Sequence, residues 1–365
     1  MHIRAAREEL LKPLSFVANI VDRRQIQPIL GHMLLETEDS FRVTGTDLEV
    51  ELRSRISGVT VVSGGSVTVP GRKLFDIVRA LPAGAEIEIR QESERLLIKT
   101  ARSRFSLTTL PARDFPTITP PVWECDLQWT AEALRRLLEK THFCMAQQDA
   151  RYFLNGLLMD ITPGRARMVA TDGHRLAIAE HPLDRSVTAR QVIIPRKGVM
   201  EIMRLLADGA PGVITELSTN HIRIQAGDSA LISKLIDGRF PDYEKVIPAE
   251  HKVKVRVERL ALKDALARVA ILASEKYRGV RLTLSDNRLM LTAQNPDQEE
   301  ACEELSVEYT GEQVELGFNV GYLMDAVTAL AGDAVELGLS DPNSSTTVRA
   351  PESSDLFYVI MPMRL

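Results

Sequence analysis

Apolar residues recur near helical spacing in three widely separated stretches: Arg7–Val21 (REELLKPLSFVANIV), Thr130–Met145 (TAEALRRLLEKTHFCM) and Arg259–Ala273 (RLALKDALARVAILA). In the first, Leu10, Leu14, Val17 and Val21 share one face with charges between them, the pattern of a helix with one side on a core. Downstream of each lies an alternating segment that ends in a polar pair: FRVTGTD, RMVATDG and LMLTAQN. Period-2 alternation predicts strands there. A further strand then runs into a second helix: VTVPGRKLFDIVRAL, VIIPRKGVMEIMRLL and ELGFNVGYLMDAVTAL. Pro70, Pro195 and Asn319 stand just before those helices, where proline or a capping polar residue is expected. Alternating strands close each stretch, and the last landmarks are Phe115-Pro116, Phe240-Pro241 and Met361-Pro362.

The order repeats at a nearly fixed distance. Asp47 to Asp172 and Pro70 to Pro195 are each about 125 residues, and the next intervals, to Asn295 and Asn319, are about 123 and 124. So long a period describes a whole domain rather than a solenoid repeat. The chain is therefore read as α+β, three tandem domains each with two helices packed on antiparallel sheet, spanning 1–120, 128–247 and 253–365. Candidate linkers are Thr117–Leu127 and Pro248–Val253.

Composition adds limits. The 365 residues are 44% hydrophobic and 26% charged, ordinary for globular domains. No apolar run reaches the roughly 18 residues of a membrane span, and the first residues lack the pattern of a signal peptide. Cys125, Cys144 and Cys302 are scattered, which argues against disulfides or a zinc site and for a reducing cytoplasm. A net charge of −5 neither suggests nor excludes a nucleic-acid partner, because distribution matters more than the sum.

The chemistry of catalysis is hard to find. Walker A, GxGxxG, HExxH, GxSxG and Cys-His metal patterns are missing, so neither cofactor nor metal is expected. Asp172 and His174 are spaced like part of a triad, but no nucleophile motif completes it; Asp172-Gly173 reads as a turn between two strands. A hydrolase using that pair stays open as one alternative. A repeat-built scaffold that never meets DNA is another.

Several segments carry a resemblance. ATDGHRLA (Ala170–Ala177), FPDY (Phe240–Tyr243), SEKYRGVRL (Ser274–Leu282), GFN (Gly317–Asn319) and VIMPMRL (Val359–Leu365) resemble the bacterial DNA polymerase III beta subunit, the DNA sliding clamps. The resemblance runs the length of the chain, and ATDGHR together with terminal MPMRL is its most specific part. It implies three tandem DNA-clamp domains per protomer and a head-to-tail dimeric ring, with helices lining the hole and sheets outside. Such a ring encircles duplex DNA without reading sequence, hydrolyses nothing itself, and tethers the polymerase alpha subunit, the loader delta subunit and other proteins with a clamp-binding motif. No membrane is involved.

The resemblance also implies residues. A partner-peptide pocket would have Leu154, Thr171, Gly173, His174, Arg175 and Leu176 on one wall. The other wall would be Pro241, Val246, Ser345, Val359, Ile360, Met361, Pro362, Met363 and Arg364. Apolar side chains with a few polar groups suit capture of a short peptide, and methionines adapt to many. Phosphate contacts would come from Arg24, Arg72, Lys73, Gln148, Arg151, Tyr152, Arg196 and Lys197; Arg72-Lys73 and Arg196-Lys197 recur at equivalent places. Arg102, Arg104, Phe105 and Leu107 would meet Ile271, Leu272, Glu300 and Glu303 of a second copy, opposite charges flanking apolar contacts. The chain departs from the family pattern at Glu244-Lys245, where basic residues are usual, and at Phe153, where tyrosine is frequent.

Overall fold

A computed structural model describes residues 1–21, 27–119, 122–183, 187–207, 209 and 212–364. Among the described residues, six α-helices follow the predicted order: α1 Arg7–Ile20, α2 Gly71–Ala80, α3 Ala131–Thr141, α4 Arg196–Leu206, α5 Arg259–Val269 and α6 Val320–Ala329. Their caps follow from local chemistry. The Glu258 carboxylate accepts the backbone N–H groups of Leu260 and Ala261 ahead of α5, and the Asn319 side chain accepts those of Gly321 and Tyr322 ahead of α6.

Two helices stop earlier than the apolar spacing suggests. In α3 the buried Thr141 hydroxyl bonds back to the Leu137 carbonyl at 2.7 Å, and residues His142–Cys144 tighten into a 3₁₀ turn. Beyond α5, Ile271 N–H reaches the Arg268 carbonyl and Leu272 N–H the Val269 carbonyl, again the shorter 3₁₀ spacing.

Among the described residues, all strand pairings are antiparallel and form four sheets. Strands from the first and second repeats share one eight-stranded sheet, joined where Ser229–Lys234 pairs with Val50–Ile56. Strands from the second and third repeats share the other, joined where Arg175–Pro182 pairs with Leu356–Ile360. A five-stranded sheet ends on Arg104–Thr108 and a four-stranded sheet on Glu300–Ser306. Contacts therefore gather into two compact units, Met1–Arg135 with Lys197–Leu235, and Arg136–Arg196 with Ile236–Leu365, so the second repeat contributes to both.

In the first unit α1 packs on α2 and on the strands Phe41–Thr46 and Val50–Ile56. Gly45 makes the close approach possible: a Cβ there would lie 2.6 Å from the Val17 side chain. In the second unit α5 packs on α6 over a core that includes Val280, Leu282, Leu289, Leu291, Leu323 and Val327.

The duplication is visible atom by atom in two turns. Thr46 Oγ1 donates to the Val50 carbonyl and accepts Leu48 N–H, while Asp47 Oδ1 accepts Glu49 and Val50 N–H. Thr171 and Asp172 make the same four bonds with Arg175, Gly173, His174 and Arg175 in turn. Leu48 at φ 78° and Gly173 at φ 88° both occupy the left-handed region that this turn demands. Side-chain bonding by Thr and Asp, rather than glycine alone, holds the conformation.

Candidate functional site

A groove of about 180 Å³ opens beside the Asp172 turn in the second unit. Leu154, Thr171, Gly173, His174, Arg175, Leu176, Pro241, Val246, Val359 and Met361 line it, together with Arg151, Asp242 and Tyr243. Leu176 and Val359 come together because they are directly paired across the seam between the second and third repeats. Leu154, Leu176 and Val359 are almost fully buried as the floor, whereas Val246 and Met361 remain 48% and 43% exposed on the rim. Apolar side chains held at the surface beside oriented polar groups are what a short peptide needs for capture.

Arg175 ties the groove together. It bonds Asp172 at 3.1 Å, Asp325 of α6 at 2.6 Å and the Phe143 carbonyl at 2.8 Å, and it lies 4.4 Å from the Tyr322 ring centre. Its planar fork serves a carboxylate on each side and a carbonyl, which lysine cannot do. Asp172 is thereby fully engaged by backbone N–H groups and by Arg175, and it does not orient the His174 imidazole. That geometry counts against the hydrolase alternative.

Five pocket candidates lie differently from the sequence expectation. Ile360 is 1% exposed and pairs in the ladder with Thr346 and Arg175; it belongs to the sheet interior rather than the groove. Ser345 does not line the groove but touches its rim, its hydroxyl 3.0 Å from the Met361 sulfur. Met363 and Arg364 line a separate cavity of about 500 Å³ with Tyr277, Arg281 and Glu300, because Met363 N–H is held by the Gly317 carbonyl at 2.8 Å. Pro362, half-buried, connects the two and lines neither.

Arg151, expected at phosphate, sits instead at the groove. It makes a two-point ion pair with Asp149, bonds the Asp172 carbonyl at 3.3 Å, and lies 2.9 Å from where a Cβ on Gly173 would be. The guanidinium and its neighbouring N–H hold the Asp149 carboxyl down at about 2. A carboxylate with a depressed folded-state value contributes above its unfolded value and loses that contribution as pH falls through the folded one. The pair should therefore persist at neutral pH and open as pH drops from about 4 towards 2, read as the Asp149 carboxyl carbon shift by NMR. Arg151→Ala removes the guanidinium but keeps the backbone N–H, so the midpoint should rise only part of the way towards the ordinary aspartate range.

Gln148 at φ 56° and Tyr152, 56% exposed, flank Arg151 on the same loop. Arg72-Lys73 and Arg196-Lys197 begin α2 and α4, neither of which has an acidic residue in its first turn. Cations there oppose the helix dipole, an arrangement that costs stability unless an anion arrives. They are not all free: Lys197 is ion-paired with Asp47, and Arg72 donates to the Val21 carbonyl at 3.3 Å. One Arg196 nitrogen is buried with no partner among the described residues. Arg24 lies outside the described residues.

At the two sheet edges Arg102 and Arg104 are exposed, with Phe105 and Leu107 half-buried on the other face of their strand. Ile271 is 78% exposed beside half-buried Leu272. Glu300 is exposed, whereas Glu303 already holds Arg268 in a two-point pair at 2.7 and 2.8 Å. Asp242 and Tyr243 of the FPDY segment also line the groove, places that the sequence alone does not give them.

Models of the DNA polymerase III beta subunit match the chain in three consecutive pieces: its N-terminal domain at 1–119, its central domain at 128–242 and its C-terminal domain at 244–364. The chain belongs to that family. It is 48% identical over 371 residues to the beta sliding clamp of Pseudomonas aeruginosa and 46% identical over 368 to that of Escherichia coli, covering all of both chains each time. Among solved structures, a Pseudomonas aeruginosa sliding clamp bound to griselimycin matches at TM-score 0.97 and 47% identity, with full coverage of both chains. A Caulobacter crescentus clamp matches at TM-score 0.96 and 37% identity, again over both full lengths. The three repeats are three clamp domains, and the function is that of the DNA sliding clamp of polymerase III.

Proposed function

We propose that two copies of the chain join head to tail into a closed ring around duplex DNA, and that the groove holds clamp-binding peptides of the polymerase alpha subunit, the loader delta subunit and other replication proteins. The protein acts without catalysis, in the cytoplasm, as a moving tether.

The recurrence of one seam carries this reading. Glu51, Leu176 and Glu300 are equivalent, each lying opposite the corresponding residue Thr46, Thr171 or Gln294 in its own ladder. Glu51 pairs with Ile232 of the next repeat, and Leu176 with Val359 of the next. Following ladders inward, Ile232 leads through Arg223 and Glu216 to Asp126, and Val359 through Thr347 and Gly338 to Lys254. The same path in the first repeat runs from Ser106 through Leu97 and Arg90 to His2. Asp126, Lys254 and His2 each stand five residues before the helix that follows. Glu300 and Ser106 are thus the two ends of the series still without a seam partner, and both lie on edge strands.

Joining them in a second copy repeats the seam and removes two exposed edges at once. That register sets Arg104 opposite Cys302 and Arg102 opposite Glu304. Arg104→Cys should therefore give a covalent dimer through the native Cys302 on mild oxidation, detected on a non-reducing gel and abolished by Cys302→Ser. Absence of that product from a protein that sediments as a dimer would refute the register.

DNA contact is assigned to Arg72, Lys73, Arg196 and Lys197 at two helix starts, with Gln148, Tyr152 and Arg24. Phosphate-only contacts suit a ring that has to slide, since base readout would hold it in place.

A further inference from the structure

The groove wall that carries Pro241 and Val246 is a loop with little backbone attachment. Among the described residues, the backbone–backbone hydrogen bonds made by Phe240–Ile247 are internal to it, Lys245 N–H to the Asp242 carbonyl and Ile247 N–H to the Glu244 carbonyl. Its hold on the domain runs through side chains. Phe240 and Tyr243 enter the core that also contains Leu154, Leu176 and Val359, the floor of the groove. At the far end of the Tyr243 ring, the hydroxyl donates to Asp160 Oδ2 at 2.6 Å and accepts Arg167 Nη1 at 3.3 Å. Arg167 in turn bonds Glu180 at 2.5 Å and Glu244, on the same loop, at 2.8 Å.

We propose that Tyr243, Asp160 and Arg167 form a latch that sets the position of the Pro241–Val246 wall, and so the residence time of a peptide in the groove. The inference rests on the peptide reading of the groove. Tyr243 is a positioning residue: its ring packs among the floor residues at the edge of the groove, and its hydroxyl is taken up by Asp160 and Arg167. Asp160 is 8% exposed, so its bond to Tyr243 forms in a water-poor place where such bonds are strong and directional. Burial and the Asp160 acceptor push the Tyr243 phenol up to about 12, which keeps it a donor throughout the working pH range. Glu244 adds a second tie through Arg167. With the latch open, the wall retains apolar packing but loses its fixed register against Met361, and bound peptide leaves sooner.

The experiment compares Tyr243→Phe, Asp160→Ala and Asp160→Asn in the full-length dimer. A fluorescein-labelled peptide carrying a clamp-binding motif is followed by stopped flow, and amide hydrogen exchange is followed across 240–247. Tyr243→Phe keeps the ring and should speed peptide release roughly fivefold with little change in association. Asp160→Ala should do the same, and Asp160→Asn, which keeps an acceptor oxygen, should stay within about twofold of the parent. Exchange across 240–247 should rise in the first two variants alone. Parental release and exchange in Tyr243→Phe would overturn the latch, as would equal loss in Asp160→Asn. If the parent itself fails to bind peptide, the peptide reading fails; exchange across 240–247 still decides whether the latch exists.

Discussion

Replacing Arg175 with methionine is expected to destabilise the second unit by about 2–4 kcal/mol, because it removes one partner from a mostly buried ionic network. The Arg175 side chain is 12% exposed and joins four features: the Asp172 turn, the carboxylate of Asp325 on α6, the Phe143 carbonyl after α3, and the Tyr322 ring. Methionine retains much of the stem volume, so the loss reads the charge and its hydrogen bonds rather than an empty cavity. Asp172 keeps its two backbone donors and Asp325 is 48% exposed, which holds the cost below that of a wholly stranded buried pair. A denaturant series resolved for this unit checks the value. A change under 0.5 kcal/mol would mean that the network contributes nothing net.

Truncation after Ile360 is expected to weaken peptide binding by roughly 10–100-fold while leaving the fold intact. Met361 is 43% exposed at the rim, so covering the remainder under a ligand contributes up to about 1.5 kcal/mol, and loss of the ordered tail beside the groove adds to it. The cut also removes the Met361 N–H bond to the His174 carbonyl at 2.9 Å and the Met363 N–H bond to the Gly317 carbonyl. The strand Leu356–Ile360 stays, with both ladder neighbours, so the seam holds. Fluorescence anisotropy with the labelled peptide gives the affinity, and an unchanged unfolding midpoint shows that the loss is local. Affinity within threefold of the parent would remove Met361 from the binding surface.

Local signals in the sequence carry the helices, the order of strands along the chain and the Asp172-Gly173 turn, because periodicity and caps act over a few residues, whereas the matching turn at Asp47 shows itself only through its side-chain bonds. Nonlocal pairing lay beyond them. Which strand of one repeat joins which of the next depends on residues such as Leu176 and Val359, 183 positions apart, and no local pattern encodes that choice. The resemblance implies most of the groove lining and includes Ile360 in it, but one residue of register decides the face: Val359 lies on the floor, whereas strand alternation turns Ile360 into the sheet interior. Met363 and Arg364 leave the groove for a related reason: a single bridge to Gly317 turns the tail towards another cavity. Charges were the least legible. Lys197, Arg151 and Glu303 each look free in sequence, and each has an intramolecular partner, Asp47, Asp149 and Arg268. Long side chains choose among carboxylates that only the fold brings near.

The central claim is topological: the chain encloses DNA instead of gripping it. The direct test is to load labelled protein with a clamp loader and ATP onto nicked circular duplex, isolate the complex, and measure its lifetime before and after one restriction cut. Retention should survive raised salt on the intact circle, since enclosure does not depend on phosphate contacts, and the protein should run off the linear product rapidly. Equal loss from circle and linear DNA, with a lifetime that follows salt concentration, would contradict the account.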